Sequence, residues 1–255
     1  MDIQKIIEEY NQFERIGENV PGCQKFQDEQ VVKIVSPGKH GSYINYFCLN
    51  AAQADTRIKQ EIDFFTNLDK SFEWKVYDTD YPSDMGERLV QLGFVAGEKE
   101  SFMVFDIEKH YHRFANHQPA CTKVTSVEQI KDTMSIHPKV WGGDFTHQEQ
   151  ALINQFTEDP DSVSIYNAYA DGKTVSSARI TFNGNSPFAG LWGGSTLEEY
   201  RGKGHYTDLL AARVLEAKKR GIKYLIIDAS DMSRPIVEKY GFEFVTYTTP
   251  YEYEV

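Results

Sequence analysis

The segment Glu198–Leu210, EEYRGKGHYTDLL, sets two glycines (Gly202, Gly204) and two cations (Arg201, Lys203) directly before a run with helical spacing. N–H groups at a helix start have no intrahelical partners and lie at the positive end of the helix dipole. Glycines let the backbone pass close to an anion in conformations closed to other residues, and Arg201 and Lys203 add charge. The stretch therefore predicts a pyrophosphate cradle. It is not a Walker loop, GxxxxGK followed by Ser or Thr, because Gly204 is followed by His205. Nor is it a dinucleotide fingerprint, GxGxxG opening a first strand–helix unit, because the sequence before it reads as a meander. Glu198 and Glu199 stand beside the loop as candidate bases, against the plainer reading of solvated acids at a helix entrance.

The elements that must position this loop follow from periodicity. Downstream, Tyr206, Leu210, Val214 and Ala217 share one helical face, Lys218–Arg220 occupy the last turn and Gly221 stops the helix. Upstream, SVSIYNAYA and TVSSARITF alternate on either side of the turn Asp171–Lys173, a hairpin, and FAGLWGGSTL continues as a strand that Gly193 and Gly194 should bulge. Helices are predicted around Val127–Ile136 and His147–Phe156. YLIID reads as a buried strand, MSRPIVEKYG as a short helix and FEFVTYTTPYEYEV as a closing strand.

The first half predicts a helix over Ile3–Phe13, strands Val31–Ser36 and Ser42–Leu49, and a helix over Thr56–Leu68 with Ile58, Ile62, Phe65 and Leu68 on its apolar face. A strand FEWKVYD, a helix near Pro82 and a strand SFMVFDI complete it. Residues Glu108–Thr122 break the periodicity and read as a linker, whose His110, His112 and His117 lack finger-type ligand spacing, so no metal site is expected. Phe72–Phe94 and Ile222–Phe242 repeat one order: strand, Asp (Asp78, Asp228), turn, helix, Gly-Phe, strand. Two related α/β halves are expected, over residues 1–117 and 118–255.

The chain of 255 residues carries a net charge of −11, which argues against phosphate-backbone binding and makes an amine-bearing partner easier to accommodate. Cys23, Cys48 and Cys121 include no CxxC pair, which fits a reducing cytoplasm, and no apolar run is long enough to span a membrane.

RGKGHY resembles the RxxGxG/A coenzyme A loop of the GCN5-related N-acetyltransferases, the GNAT family. The order around it, from Thr122 to Val255, is similar to theirs: hairpin, strand ending in STL, loop, long helix, YLIIDAS, short helix, KYGFEFV. The resemblance implies an α/β fold of two tandem GNAT-like domains, each a mixed, mostly antiparallel sheet flanked by helices. It implies that the amides of Gly202, Lys203, Gly204, His205 and Tyr206, opened by Arg201, hold the pyrophosphate of acetyl-CoA or coenzyme A. It also implies that the pantetheine arm pairs with Ser195, Thr196 and Leu197, and that Ser230 stands where an Asn is frequent.

Two departures are present: Tyr206 replaces the usual Gly or Ala, and Val237 stands where many members carry a Tyr acid. A thiolate with a pKa near 8.5 leaves with little proton help, so Val237 does not exclude turnover. No catalytic residue is assigned. The first half has no glycine between SYINYFCLN and FEWKVYD and is expected to be a degenerate copy without a cofactor loop. The function expected is transfer of an acetyl group to the primary amine of a small molecule or amino acid. A non-catalytic acyl-CoA sensor and a protein Lys or N-terminal acetyltransferase are the alternatives, and homodimerisation stays open.

Overall fold

The computed structural model describes residues 2–255. The first segment runs α1 (Ile3–Tyr10), a π-helical turn (Asn11–Ile16), β1 (Gln24–Gln27), β2 (Val31–Val35), β3 (Ser42–Phe47), α2 (Ala54–Asn67), β4 (Phe72–Tyr77), α3 (Met85–Gln91), β5 (Val95–Ala96) and β6 (Glu100–Asp106). It continues through α4 (Ile107–His110), a 3-10 turn (Tyr111–Arg113), β7 (Thr122–Lys123), α5 (Val127–Met134), α6 (His137–Trp141), α7 (Thr146–Glu158) and β8 (Val163–Ala170). The remainder is β9 (Lys173–Phe182), β10 (Phe188–Thr196), a 3-10 turn (Glu198–Tyr200), α8 (His205–Lys219), β11 (Tyr224–Ala229), α9 (Arg234–Tyr240) and β12 (Glu243–Tyr253). Among the described residues no helix is long and apolar enough to cross a membrane.

The chain forms two compact units, one of residues up to Met103 with Asp228–Val255, the other Val104–Ile227. These units are divided differently from the 117/118 boundary expected from the sequence. In the first unit β12 pairs antiparallel with β4, from Thr248 opposite Tyr77 to Tyr253 opposite Phe72, which brings the chain's last segment to its first. Local periodicity identifies β12 as a strand and says nothing about which distant strand it meets.

The strands of that unit run β1-β2-β3-β4-β12, with β3 and β4 parallel across the α2 crossover and the other pairs antiparallel. Ile58 and Phe65 of α2 pack with Ile44, Phe72, Trp74, Leu89 and Phe94 in one apolar core. Leu68, expected on the same face, caps the helix and is 45% exposed. The repeat recurs in backbone detail. Gly93 (φ +100) and Gly241 (φ +108) end α3 and α9 in the left-handed region. Phe94 N–H donates to the Leu89 carbonyl and Phe242 N–H to that of Val237, at 3.1 and 3.2 Å. Each helix thus closes in the same Schellman motif, with Leu89 and Val237 both fully buried at equivalent positions.

The second unit orders its strands β11-β10-β9-β8-β7, antiparallel except for β10 and β11. Alternation along β8 divides its neighbours. Ser164 and Tyr166 turn their hydroxyls to Glu216 of α8, while Asn167 accepts from Thr133 of α5. The helices α5 and α7 cover that second face around Ile130, Leu152, Val163 and Ile165. The segment expected to be a solvated linker is instead folded: His110 is buried, and His117 Nε2 meets Asp208 Oδ1 of α8 at 2.7 Å. Among the described residues no group of His, Cys, Asp and Glu is arranged to hold a metal ion.

Candidate active site

The glycine loop stands where its composition requires it. Gly202 (φ +72) and Gly204 (φ +91) both take the left-handed conformation that a side chain disfavours. A Cβ on either would meet nothing within 4 Å, so the backbone there borders open space. Gly204 is the N-cap of α8, and its carbonyl receives the first helical bond, from Asp208 N–H at 3.1 Å. The amide ends of the first turn are therefore directed beside the glycines. Arg201 is exposed and anchored by Nε to the Thr196 carbonyl at 3.3 Å, and Lys203 Nζ lies 4.6 Å from the centre of the Tyr200 ring. Tyr206, half-buried in the first turn, acts electrostatically on Arg213 of the same helix.

Strand β10 leads into this loop with one edge unpaired. It meets β11 only at Phe188, Ala189 and Gly190, whereas its pairing with β9 continues to Thr196. Beyond Gly190 the two strands part, leaving the β10 edge at Ser195–Leu197 outside the β10–β11 ladder. The anticipated bulge is present: between Trp192 opposite Arg179 and Ser195 opposite Ser177, two residues of β10 face one of β9, and Gly193 has φ +61. Thr196 Oγ1 is 2.7 Å from Ser176 Oγ, which also donates to the Ser195 carbonyl, and Ser195 Oγ accepts from Trp141 Nε1 at 2.8 Å.

The second unit thus gathers Ser195, Thr196, Leu197, Arg201, Gly202, Lys203, Gly204, His205 and Tyr206 into one strand-to-helix turn. Ser230 belongs to the first unit, where its hydroxyl accepts from the Ser233 N–H at 3.3 Å and shapes the start of α9. Glu198 and Glu199 are exposed, which favours the plainer reading of these two acids.

Two groups that the sequence reading missed border the bulge. His137 is buried at the start of α6 with Nδ1 3.1 Å from the Thr133 carbonyl. A carbonyl can only accept, so Nδ1 carries the proton and Nε2 presents its lone pair, and Nε2 is buried with no partner. Burial, followed by the nearby Arg179 charge, holds this imidazole below its usual pKa against the Thr133 bond, so it is neutral at pH 7. Arg179 is the other group. Its one signal in the sequence is being the sole charge in TVSSARITF.

Residues 130–242 match the model of the acetyltransferase (GNAT) family. That stretch, less than half of the chain, is similar to a GNAT domain. No curated protein matches it in sequence. A GCN5-related N-acetyltransferase from Kribbella flavida superposes with a TM-score of 0.71 at 13% identity, over 98% of this chain and 95% of that one. A tandem GNAT protein from the clavulanic acid biosynthesis pathway gives 0.60 at 10% identity, over 93% and 85%. A GCN5-related N-acetyltransferase from Sphaerobacter thermophilus gives 0.56 at 12%, over 98% and 85%. At these identities the likeness is one of fold, and it extends over nearly the whole chain: an α/β architecture of mixed, mostly antiparallel sheet with flanking helices, shared with a tandem member. The family is one of acetyltransferases, and the GNAT match covers both the glycine loop and the His137–Arg179 pair.

Proposed function

We propose that this protein is an acetyl-CoA-dependent N-acetyltransferase acting on the primary amine of a small molecule. The reading is carried by one observation: two glycines of positive φ, facing open space, join the N-terminus of a 15-residue helix to a strand that has parted from its neighbour. An anionic pyrophosphate fits the amides of Gly202–Tyr206 with Arg201 and Lys203 beside them, and an extended amide-bearing arm fits the edge at Ser195–Leu197. When bound, the thioester supplies the acetyl group and a thiolate leaving group.

The chain's own residues then have separable tasks. The loop fixes the phosphates and the strand edge aligns the arm, so that the reacting centre is held beside the bulge. His137 Nε2, neutral and unpartnered, is suited to take a proton from the acceptor ammonium. Val237, fully buried and apolar, donates nothing, and a thiolate of ordinary pKa leaves without strong acid help. The first half, whose β3–β4 crossover contains no glycine, is assigned no cofactor and is read as a degenerate copy of the second.

The test is calorimetric titration with acetyl-CoA, followed by a free-thiol assay over a panel of amines and amino acids. Binding with amine-dependent thiol release is expected. A folded protein that does not bind acetyl-CoA refutes the assignment, and binding without turnover of any amine leaves a sensor in its place.

A further inference from the structure

Among the described residues the guanidinium of Arg179 has no counter-ion. It is half-buried on β9, and among the described residues no carboxylate or hydrogen-bond acceptor meets it. Arg15, the buried arginine of the first unit, shows the usual arrangement, a two-pronged pair with Asp80 at 2.7 and 2.8 Å. Desolvation lowers the pKa of Arg179 to about 10, which leaves it cationic at neutral pH. A half-buried cation that no carboxylate among the described residues neutralises is suited to pair with an anionic group of a ligand.

Its surroundings specify that ligand. A Cβ on Gly193 would lie 2.5 Å from Arg179 Nη1 and 3.5 Å from His137 Nε2, so both nitrogens converge on one point beside the bulge. Ser177, two residues back on the same face of β9, is fully buried with an unpartnered Oγ. Trp141, 58% exposed, borders the same place through its bond to Ser195. The site therefore offers one positive charge and one nitrogen lone pair converging on one point, with a buried hydroxyl two residues along the same strand.

We propose that Arg179 and His137 are the acceptor site, and that the acceptor is an amino acid whose carboxylate pairs with Arg179 while its amine faces His137 Nε2. The inference rests on the acyl-transfer reading above. Because the two groups converge, amine and carboxylate must sit on the same or adjacent carbons. That excludes a protein lysine, whose amine has no neighbouring carboxylate. In the transfer the amine nitrogen bonds to the acetyl carbonyl carbon and the carbon–sulfur bond breaks. Of the two protons the ammonium sheds, one leaves through His137 and the other ends on the departing sulfur.

The experiment uses the full chain with acetyl-CoA and matched pairs, each an L-amino acid and the amine left when its carboxyl group is removed, with free thiol as the readout. For at least one pair the amino acid should be favoured in kcat/KM by roughly 30-fold or more, the lower end of what losing one partner of a buried charge pair costs. Arg179→Gln should erase that preference with acetyl-CoA affinity unchanged in calorimetry, and Arg179→Lys should keep part of it. The proposal is overturned if the amines react as well as the amino acids, if no amino acid reacts, or if Arg179→Gln slows both members of a pair alike. Should Arg179→Gln fail to fold, the Lys variant decides, and an undiminished preference in it overturns the proposal. Loss of acetyl-CoA binding by the unaltered protein would instead refute the acyl-transfer reading.

Discussion

Replacing Gly204 separates backbone strain from charge in the glycine loop. At φ +91 a Cβ is disfavoured by about 1 kcal/mol, and because no atom lies within 4 Å of its position there is no clash to add. Gly204→Ala should therefore fold with a stability loss of about that size. Gly204→Glu carries the same backbone cost, partly offset because an acid at a helix N-terminus gains about 0.3–1 kcal/mol. The two variants should unfold within a few degrees of each other. Toward coenzyme A they should differ sharply. A carboxylate about 5 Å from a phosphate, at an effective dielectric near 20, is repelled by about 3 kcal/mol, or roughly 100-fold in affinity, with salt reducing the figure. Calorimetry at low ionic strength, paired with circular dichroism, reads both quantities. If the Glu variant, still folded, binds within about threefold of the Ala variant, the loop does not hold the phosphates.

Glu18 is held up to about 7 by burial, against the lowering effects of its Tyr43 hydrogen bond and of Lys75. The folded chain then keeps a proton that the unfolded chain releases near pH 4.5, so stability should fall as pH rises from about 4.5 to about 7, by up to about 3 kcal/mol and less for the part water still reaches. Glu18→Gln should flatten that decline in urea titrations run at pH 5 and 8, and an unchanged slope would remove Glu18 from the effect. Val237→Tyr, which restores the residue usual in the family, should lower stability by about 1–3 kcal/mol without raising turnover, because the site is fully enclosed. An unaltered melting temperature would contradict this. His137→Gln should lower kcat by about 10² or more while acetyl-CoA affinity holds, and should abolish the limb of the pH–kcat/KM profile that rises through a pKa below the usual histidine value. A retained limb would assign the base elsewhere.

What the sequence by itself determined is what backbone conformation determines locally. Gly202 and Gly204 before a helical run fix a positive-φ turn at a helix start wherever that helix lies, and the Asp171-Gly172 turn and the Gly193-Gly194 bulge follow from the same restriction. The paired Gly-Phe endings were legible for that reason also, since a Schellman stop needs only neighbouring residues. Tertiary structure decided the rest. Nothing local told β12 to pair with β4, because any strand of suitable alternation offers the same ladder. His117 read as a solvated linker residue until the fold set Asp208 beside it. Val237 read as a missing acid, and its burial makes it core. Arg179 and His137 are far apart in the chain, on a strand and at a helix start, and their types carry no sign of meeting. Only the packing of α6 over the bulged strand brings the cation and the lone pair to one point, and only the absence there of a counter-ion among the described residues turns a strand arginine into a candidate binding group.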